Sequence, residues 1–290
     1  MKVALIVTTY NSDAYIQKLL DSIRQQDESL HVIFADDGST DSTVVLLERF
    51  KETFEAVTIL ALEHGERGVA RDKAISVAFD MNLPYLMFID ADMILDDQLI
   101  PECIVQLEKE KNIGALVLKE VPVSDYSNLM TKVKMFERMV VNNSGEKLDL
   151  NSIEAARFWR TSAYSSSGGI NPNQIAFEET QPTIRYLEQG GLIKKHLGRG
   201  LLHDEKKVTI SNILGKKKYH FKVMNITFET EEKGLLKAFK RWYFFRPVMY
   251  KKKNLKLYMS HPILTIGMVM MYLTLTAVGC LEIVKHRMSI

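Results

Sequence analysis

"YLMFIDADM", residues 85–93, decides how the chain is read. Five apolar residues, Tyr85 to Ile89, run straight into Asp90 and Asp92, with only Ala91 between the acids. Two carboxylates at that spacing repel each other and resist burial, so the pattern calls for a counter-charge or a helix cap. An acid-x-acid triplet alone is common in loops. At the end of an apolar strand it has the spacing of a divalent-cation site. Mg²⁺ and Mn²⁺ take hard oxygen ligands, and often share one or two carboxylates with substrate phosphates.

Strands and helices alternate around this stretch. "KVALIVTT" (2–9), "LHVIFAD" (30–36), "AVTILALE" (56–63), "PYLMFID" (84–90) and "GALVLKEV" (114–121) read as strands. Between them, "SDAYIQKLLDSIRQQ" (12–26), "STDSTVVLLERFKETF" (39–54), "GVARDKAISVAFDM" (68–81) and "DDQLIPECIVQLEKEKN" (96–112) read as helices. Ser12 is the expected cap of the first, and Ser39 or Thr40 of the second. The alternation predicts an α/β fold: a mostly parallel sheet flanked by helices, with ligands bound at the carboxyl ends of the strands. The polar residues cluster at those ends: Thr8, Thr9 and Asn11, then Asp36 and Asp37, then Asp90 and Asp92. No G-x-G-x-x-G follows the first strand and no Walker A loop appears, so phosphates need another partner than a glycine cradle.

Beyond residue 120 the pattern loosens. "DYSNLMTKVKMFERMVV" (125–141) and "FEETQPTIRYLEQGG" (177–191) read as helices, the second ending at Gly190. "EAARFWR" (154–160) mixes strand character with two arginines, and "LIKKHLGRGLLHDE" (192–205) reads as extended. Glu178 and Glu179 suit a helix start whether or not they do chemistry. His203 is open between a structural role and a metal or phosphate contact. Trp159 suits a core or a pocket wall.

The 290 residues are 46% hydrophobic and 26% charged, an ordinary globular balance with a net charge of only +2. That charge is uneven. Between Lys206 and Lys256 fifteen Lys/Arg face three Glu, a local net of +12 that leaves −10 for the rest. An anionic surface is the expected partner. Residues 235–259 interleave aromatics with cations, as an interfacial segment does, and single-stranded RNA is the competing partner for such a pattern. Residues 262–281 then carry no charge over a length that fits a membrane. That run favours lipid over nucleic acid, and membrane contact over a buried core helix. Basic flanks on both sides give no orientation, and spanning and re-entrant placements both stay open. The N-terminal apolar run reads as a first strand rather than a leader. Two cysteines, Cys103 and Cys280, make no disulfide framework, which fits a reducing compartment.

Taken together, "VTTYNS", "FADDGSTD", "GVARDKA" and "FIDADM", in this order and spacing, resemble family 2 glycosyltransferases of the GT-A fold. The resemblance covers roughly residues 1–205. It implies that Thr8, Tyr10 and Asp37 line the nucleoside site of a UDP- or GDP-linked sugar donor. Arg71 would contact base or phosphate. Asp90 would flank ribose and metal, and Asp92 would be the direct ligand of Mg²⁺ or Mn²⁺, with His203 as an extra one. Asp72 departs from the family, where Asn commonly follows that arginine. "FEETQPTIRYLEQGG" is similar to the family's acidic motif and its following helix, with Arg185 seven residues after the first acid. By that likeness Glu179 is the catalytic base, with Glu178 its alternative, since Glu stands where the family usually has Asp. The Gln-x-x-Arg-Trp motif of processive members is missing from this region, which implies transfer of one sugar.

The resemblance therefore implies an inverting, metal-dependent transferase acting on a lipid, lipid-linked or glycan acceptor at the cytoplasmic face of a membrane. Three segments are expected: a catalytic domain over 1–205, a basic interfacial segment over 206–260, and a hydrophobic helix over 261–284. Two other readings stand beside it, a polyprenyl-phosphate sugar synthase and a non-catalytic membrane-bound sugar-nucleotide-binding scaffold.

Overall fold

The computed structural model describes residues 2–26, 30–65, 67–142, 156–171, 180–216 and 243–288, without the side chains of Arg67, Thr180 and 282–288. Four apolar runs of the first half form parallel neighbours in the order β3-β2-β1-β4. They are β1 (Val3–Thr9), β2 (Leu30–Asp36), β3 (Val57–Ala61) and β4 (Tyr85–Asp90). α1 (Ile16–Arg24), α2 (Thr43–Lys51) and α3 (Arg67–Asp80) connect them. β1 is buried along its whole length because helices cover both faces of the sheet. Val3, Leu5 and Val7 share one core with Ile16, Leu19 and Leu20 of α1 and Leu47 and Phe50 of α2. Ala4 and Ile6 share the other with Ala70, Ala74 and Ala78 of α3. Each buried Leu or Ile contributes roughly 1.5–3 kcal/mol. The alanines recur every fourth residue, so one narrow face of α3 lies close over β1 and β2.

The second half extends this sheet. β8 (Arg157–Arg160) runs antiparallel between β4 and β6 (Ile113–Val117), and β9 (Leu192–Lys195) lies parallel at the edge. The seven-stranded sheet is thus mostly parallel, as the alternation predicted. α4 (Leu99–Lys109) covers one face, and α6 (Thr161–Ser166) and α7 (Thr180–Glu188) cover the other. A second sheet of three strands, in the order β5-β10-β7, joins β5 (Met93–Leu95), β10 (Leu201–Asp204) and β7 (Glu120–Val123).

Three local expectations are corrected. The predicted strand over 114–121 is two strands in different sheets. The Leu118 amide donates to Ala156 O at 3.1 Å and the Leu201 amide to Lys119 O at 2.8 Å, which hands the chain from one sheet to the other. α1 begins at Ile16, and its predicted cap, Ser12, makes no side-chain bond to it. The Ser12 hydroxyl turns to Tyr10 O and the Tyr15 hydroxyl instead. α2 begins at Thr43, because Ser39 is committed to Asp36 and Thr40 to Asn11.

A third core joins α5 (Leu129–Asn142) to two C-terminal helices, α8 (Lys252–Ser260) and α9 (Pro262–Met288). Val133, Phe136 and Val140 of α5 meet Met268, Met271, Tyr272 and Leu275 of α9. A Cβ on Gly267 would stand 2.6 Å from Val133 Cγ2, so glycine is what permits this approach. At the centre of the contact the Tyr272 hydroxyl donates to Glu137 at 2.7 Å, and Lys134 pairs with the same carboxylate at 2.6 Å. The opposite face of α9, with Ile263, Ile266, Met270 and Leu273, is exposed. Residues 262–281 are long and apolar enough to cross a membrane, and five of these twenty residues are buried.

Candidate active site

Register brings the polar strand ends together. Thr9 lies opposite Asp36 on one side of β1, and Thr8 lies opposite Asp90 on the other. Asp36 is the structural acid of its pair. It accepts from Thr9 Oγ1 at 2.8 Å, Ser39 N at 2.8 Å and Ser39 Oγ at 2.6 Å, which closes the turn. Gly38 follows with φ +72, and a Cβ there would meet His64 N at 2.6 Å. The turn therefore demands glycine. Asp37 accepts from Gly65 N at 2.9 Å and stands 3.2 Å from His64 Nδ1. Tyr10, 45% exposed, stacks on His64 with ring centroids 4.4 Å apart. Thr8 Oγ1 is buried and makes no hydrogen bond. Such a hydroxyl costs stability unless something satisfies it.

The two acids that opened the sequence sit on the link between the sheets. β4 ends at Asp90 and β5 starts at Met93. Arg71, buried in the first turns of α3, donates to Asp90 Oδ1 at 3.0 Å. His203 pairs with Met93 in the register of β10 and β5, which brings its Nε2 to 3.7 Å from Asp92 Oδ1. That oxygen is buried and without a hydrogen bond. Asp92 Oδ2 faces Lys206 Nζ at 3.1 Å. The counter-charge that the spacing calls for comes from the chain itself: Asp90 faces Arg71 and Asp92 faces Lys206. Burial works against the Lys206 ammonium, but the Asp92 charge and Tyr15 outweigh it and raise its pKa.

Behind His203 lies a buried charged set. Glu120 Oε2 stands 3.5 Å from His203 Nδ1, just beyond hydrogen-bond length, and 3.1 Å from Arg138. Arg138 also pairs with Glu205 and approaches His203 Nε2 at 3.3 Å. Burial pushes the Glu120 carboxyl up, but the facing His203, the Arg138 charge and the Ala156 amide hold it below the ordinary range. A carboxylate behind a histidine is the usual support of a metal-ligating imidazole. Among the described residues no three His, Cys, Asp or Glu converge as a metal cluster. A bare, buried Asp92 oxygen facing an imidazole nevertheless fits a Mg²⁺ or Mn²⁺ ion that takes its remaining ligands from phosphates and water.

Glu178 and Glu179 lie outside the described residues. The helix that follows them is well fixed. Arg157 Nε donates to Thr183 Oγ1 at 2.8 Å, and Arg185 donates to Ser167 O at 2.7 Å and to Gly169 O. Trp159 is core: it is 1% exposed and packs edge-on against Tyr164 and Tyr186. Four residues of the site were not singled out from the sequence. His64 stood alone in "LEHGERG" after β3, and its place after a strand end was the available signal. Lys206 counted only as the first charge of the basic block. Glu120 and Arg138 carry no local motif.

The family model for glycosyl transferase family 2 matches residues 4–163. The chain belongs to this family. A poly(ribitol-phosphate) beta-glucosyltransferase of Bacillus spizizenii is 33% identical over 97 residues, 32% of this chain and 15% of that protein. A teichoic acid poly(glycerol phosphate) polymerase of Staphylococcus epidermidis is 30% identical over 154 residues, 52% of this chain and 20% of that protein. The chain thus spans at most about a fifth of these curated relatives. Two solved structures share the fold at lower identity. Residues 1–349 of TarS from S. aureus with UDP-GlcNAc superpose with TM-score 0.57 at 17% identity, over 95% of this chain and 81% of that one. The mannosyltransferase PcManGT from Pyrobaculum calidifontis, in complex with GDP-Man and Mn2+, gives 0.58 at 15%, over 97% and 85%. The chain has the GT-A fold.

Proposed function

We propose that this glycosyltransferase moves one sugar, with inversion, from a nucleotide-sugar donor to an acceptor hydroxyl held at a membrane surface. The observation that carries the reading is the bare, buried Asp92 Oδ1 facing His203 at the carboxyl end of β4, beside the strand ends that hold Thr8 and Asp37. The donors bound in two proteins of the same fold, UDP-GlcNAc and GDP-Man, support a nucleotide sugar. Tyr10, Thr8 and Asp37 bind the nucleoside, with the unsatisfied Thr8 hydroxyl as a ready hydrogen-bond partner. Arg71 keeps Asp90 in place beside the ribose. Asp92 and His203 hold a divalent ion, which when bound neutralises the charge developing on the diphosphate leaving group. Glu120 stands behind the His203 ring at Nδ1, and Arg138 bears on it from the Nε2 side. Glu179, with Glu178 as alternative, takes the acceptor proton on the face of the sugar opposite the leaving group, which gives inversion.

Teichoic-acid enzymes among the relatives favour an envelope polymer or its lipid-linked precursor as acceptor. The C-terminal segment supports a location at a membrane surface. Exposed Lys252, Lys253 and Lys256 flank exposed Tyr250, Leu255 and Met259, and the outer face of α9 continues the apolar surface. The other face of α9 is fastened at its middle to Glu137, next to the Arg138 that supports His203. A helix so fastened lies along the membrane surface, since crossing it would carry the catalytic centre into lipid. The organisation is then a catalytic unit over 1–205, a basic segment over 206–260 whose first lysine reaches back into the site, and an apolar helix over 261–284.

The test is release of nucleoside diphosphate from a panel of UDP- and GDP-sugars with Mn²⁺. Asp92→Asn should lose about a hundredfold or more of the rate, the scale for removing one charge-stabilising group. A variant that keeps its rate contradicts the metal reading. Glu179→Gln against Glu178→Gln assigns the base, and full transfer by both contradicts a carboxylate base.

A further inference from the structure

Lys206 is built into the site with more care than a solvated basic residue needs. Its backbone takes φ +54, an uncommon conformation for a non-glycine residue. Bonds on both sides hold that conformation: the Lys206 amide donates to Asp204 Oδ1 at 2.9 Å, and its carbonyl accepts from Ser124 Oγ at 2.9 Å. The ammonium then lies 3.4 Å over the Tyr15 ring and 3.1 Å from Asp92 Oδ2. Tyr15 is itself fixed by its hydroxyl on Ser12 Oγ at 3.0 Å. A cation over an aromatic face and against a carboxylate is attracted by both. One oxygen of Asp92 is thus neutralised by a tethered ammonium, and the other is bare and faces His203.

We propose that Lys206 is a resident counter-cation of Asp92 that competes with the divalent ion, so that the ion binds weakly until a nucleoside diphosphate gives the ammonium another anion to pair with. The proposal rests on the reading of Asp92 as the metal-facing carboxylate. An ammonium and a divalent ion on one carboxylate repel each other, so Lys206 must swing away or the ion binds less tightly. A diphosphate carries charge enough to pair with both. Metal and nucleotide then bind with positive coupling, and each raises the affinity for the other by the same factor. If the lysine leaves the carboxylate free about one part in ten of the time, Mn²⁺ binds about tenfold more weakly than to a site without it.

The experiment counts free Mn²⁺ by electron paramagnetic resonance in titrations of the full 290-residue chain, alone and with UDP or GDP. Lys206→Gln should bind Mn²⁺ about tenfold more tightly than wild type without nucleotide, and should lose most of the coupling. Lys206→Arg keeps the charge and should keep the weak, coupled behaviour. Unchanged or weaker Mn²⁺ binding by Lys206→Gln without nucleotide overturns the proposal while leaving the metal site standing. Mn²⁺ binding that survives Asp92→Asn, or fails in wild type even with either nucleotide, overturns the metal reading and this proposal with it.

Discussion

At the scale of single residues, satisfied and unsatisfied polar atoms separate structure from chemistry. Asp36 and Asp37 are adjacent and equally acidic in sequence. Asp36 spends both oxygens on its own turn and the adjacent Thr9, whereas Asp37 reaches across to Gly65 and His64. Thr8 carries the opposite signature, a buried hydroxyl with no bond. Replacing it with Val removes an unmet hydroxyl at little change in volume, so Thr8→Val should alter unfolding free energy by less than about 1 kcal/mol. The same change should weaken binding of the donor's nucleoside several-fold by calorimetry. A large loss of stability with unchanged nucleotide affinity would contradict a binding role. The pair at Asp90 and Asp92 was legible as a site because an apolar strand ran into it. Its counter-ions were not, since Arg71 and Lys206 come from 19 and 114 positions away. The packing of α3 on the sheet and the pairing of β10 with β5 make them neighbours.

At the scale of elements, the sequence spoke clearly where periodicity was long. β1 to β4 and the helices between them follow the apolar runs closely, because a strand covered on both faces must be apolar throughout. Short elements were less legible. β7, β8 and β10 have four residues each, too few for a period to declare itself. "GALVLKEV" reads as one strand because nothing local marks the change of sheet at Leu118–Lys119. Trp159 on β8 shows the same limit, since its burial depends on Tyr164 and Tyr186 from separate helices. Trp159→Ala should cost about 3–5 kcal/mol in chemical denaturation, as removal of a large buried aromatic does. A cost under about 1 kcal/mol would return Trp159 to the pocket wall.

At the scale of the whole molecule, one buried carboxylate ties the catalytic layers to the C-terminal helices. Burial alone would raise the pKa of Glu137. The charges of Lys134 and Arg246 and the hydrogen bonds from Lys134 and Tyr272 win, and hold it at about 2. A carboxyl depressed in the folded state adds stability that is complete above its unfolded value near 4.5. That stability fades as pH falls from there toward 2, and amounts to about 3 kcal/mol. Hydrogen exchange in α9 should therefore speed up between pH 4.5 and pH 2, relative to exchange in β1. Glu137→Gln should flatten that dependence. Equal pH dependence in both variants would contradict the tether. The apolar length of 262–281 was plain in the sequence, but the face it packs on α5 was not. That packing is fixed by a hydrogen bond between residues 135 positions apart.

The most direct test of the central claim is anomalous diffraction at the manganese edge from crystals soaked with Mn²⁺ and UDP or GDP. The account predicts a peak bonded to Asp92 Oδ1 and within coordination distance of His203, with Lys206 moved off Asp92. A peak elsewhere, or nucleotide bound with no metal and the Lys206–Asp92 pair intact, would contradict it.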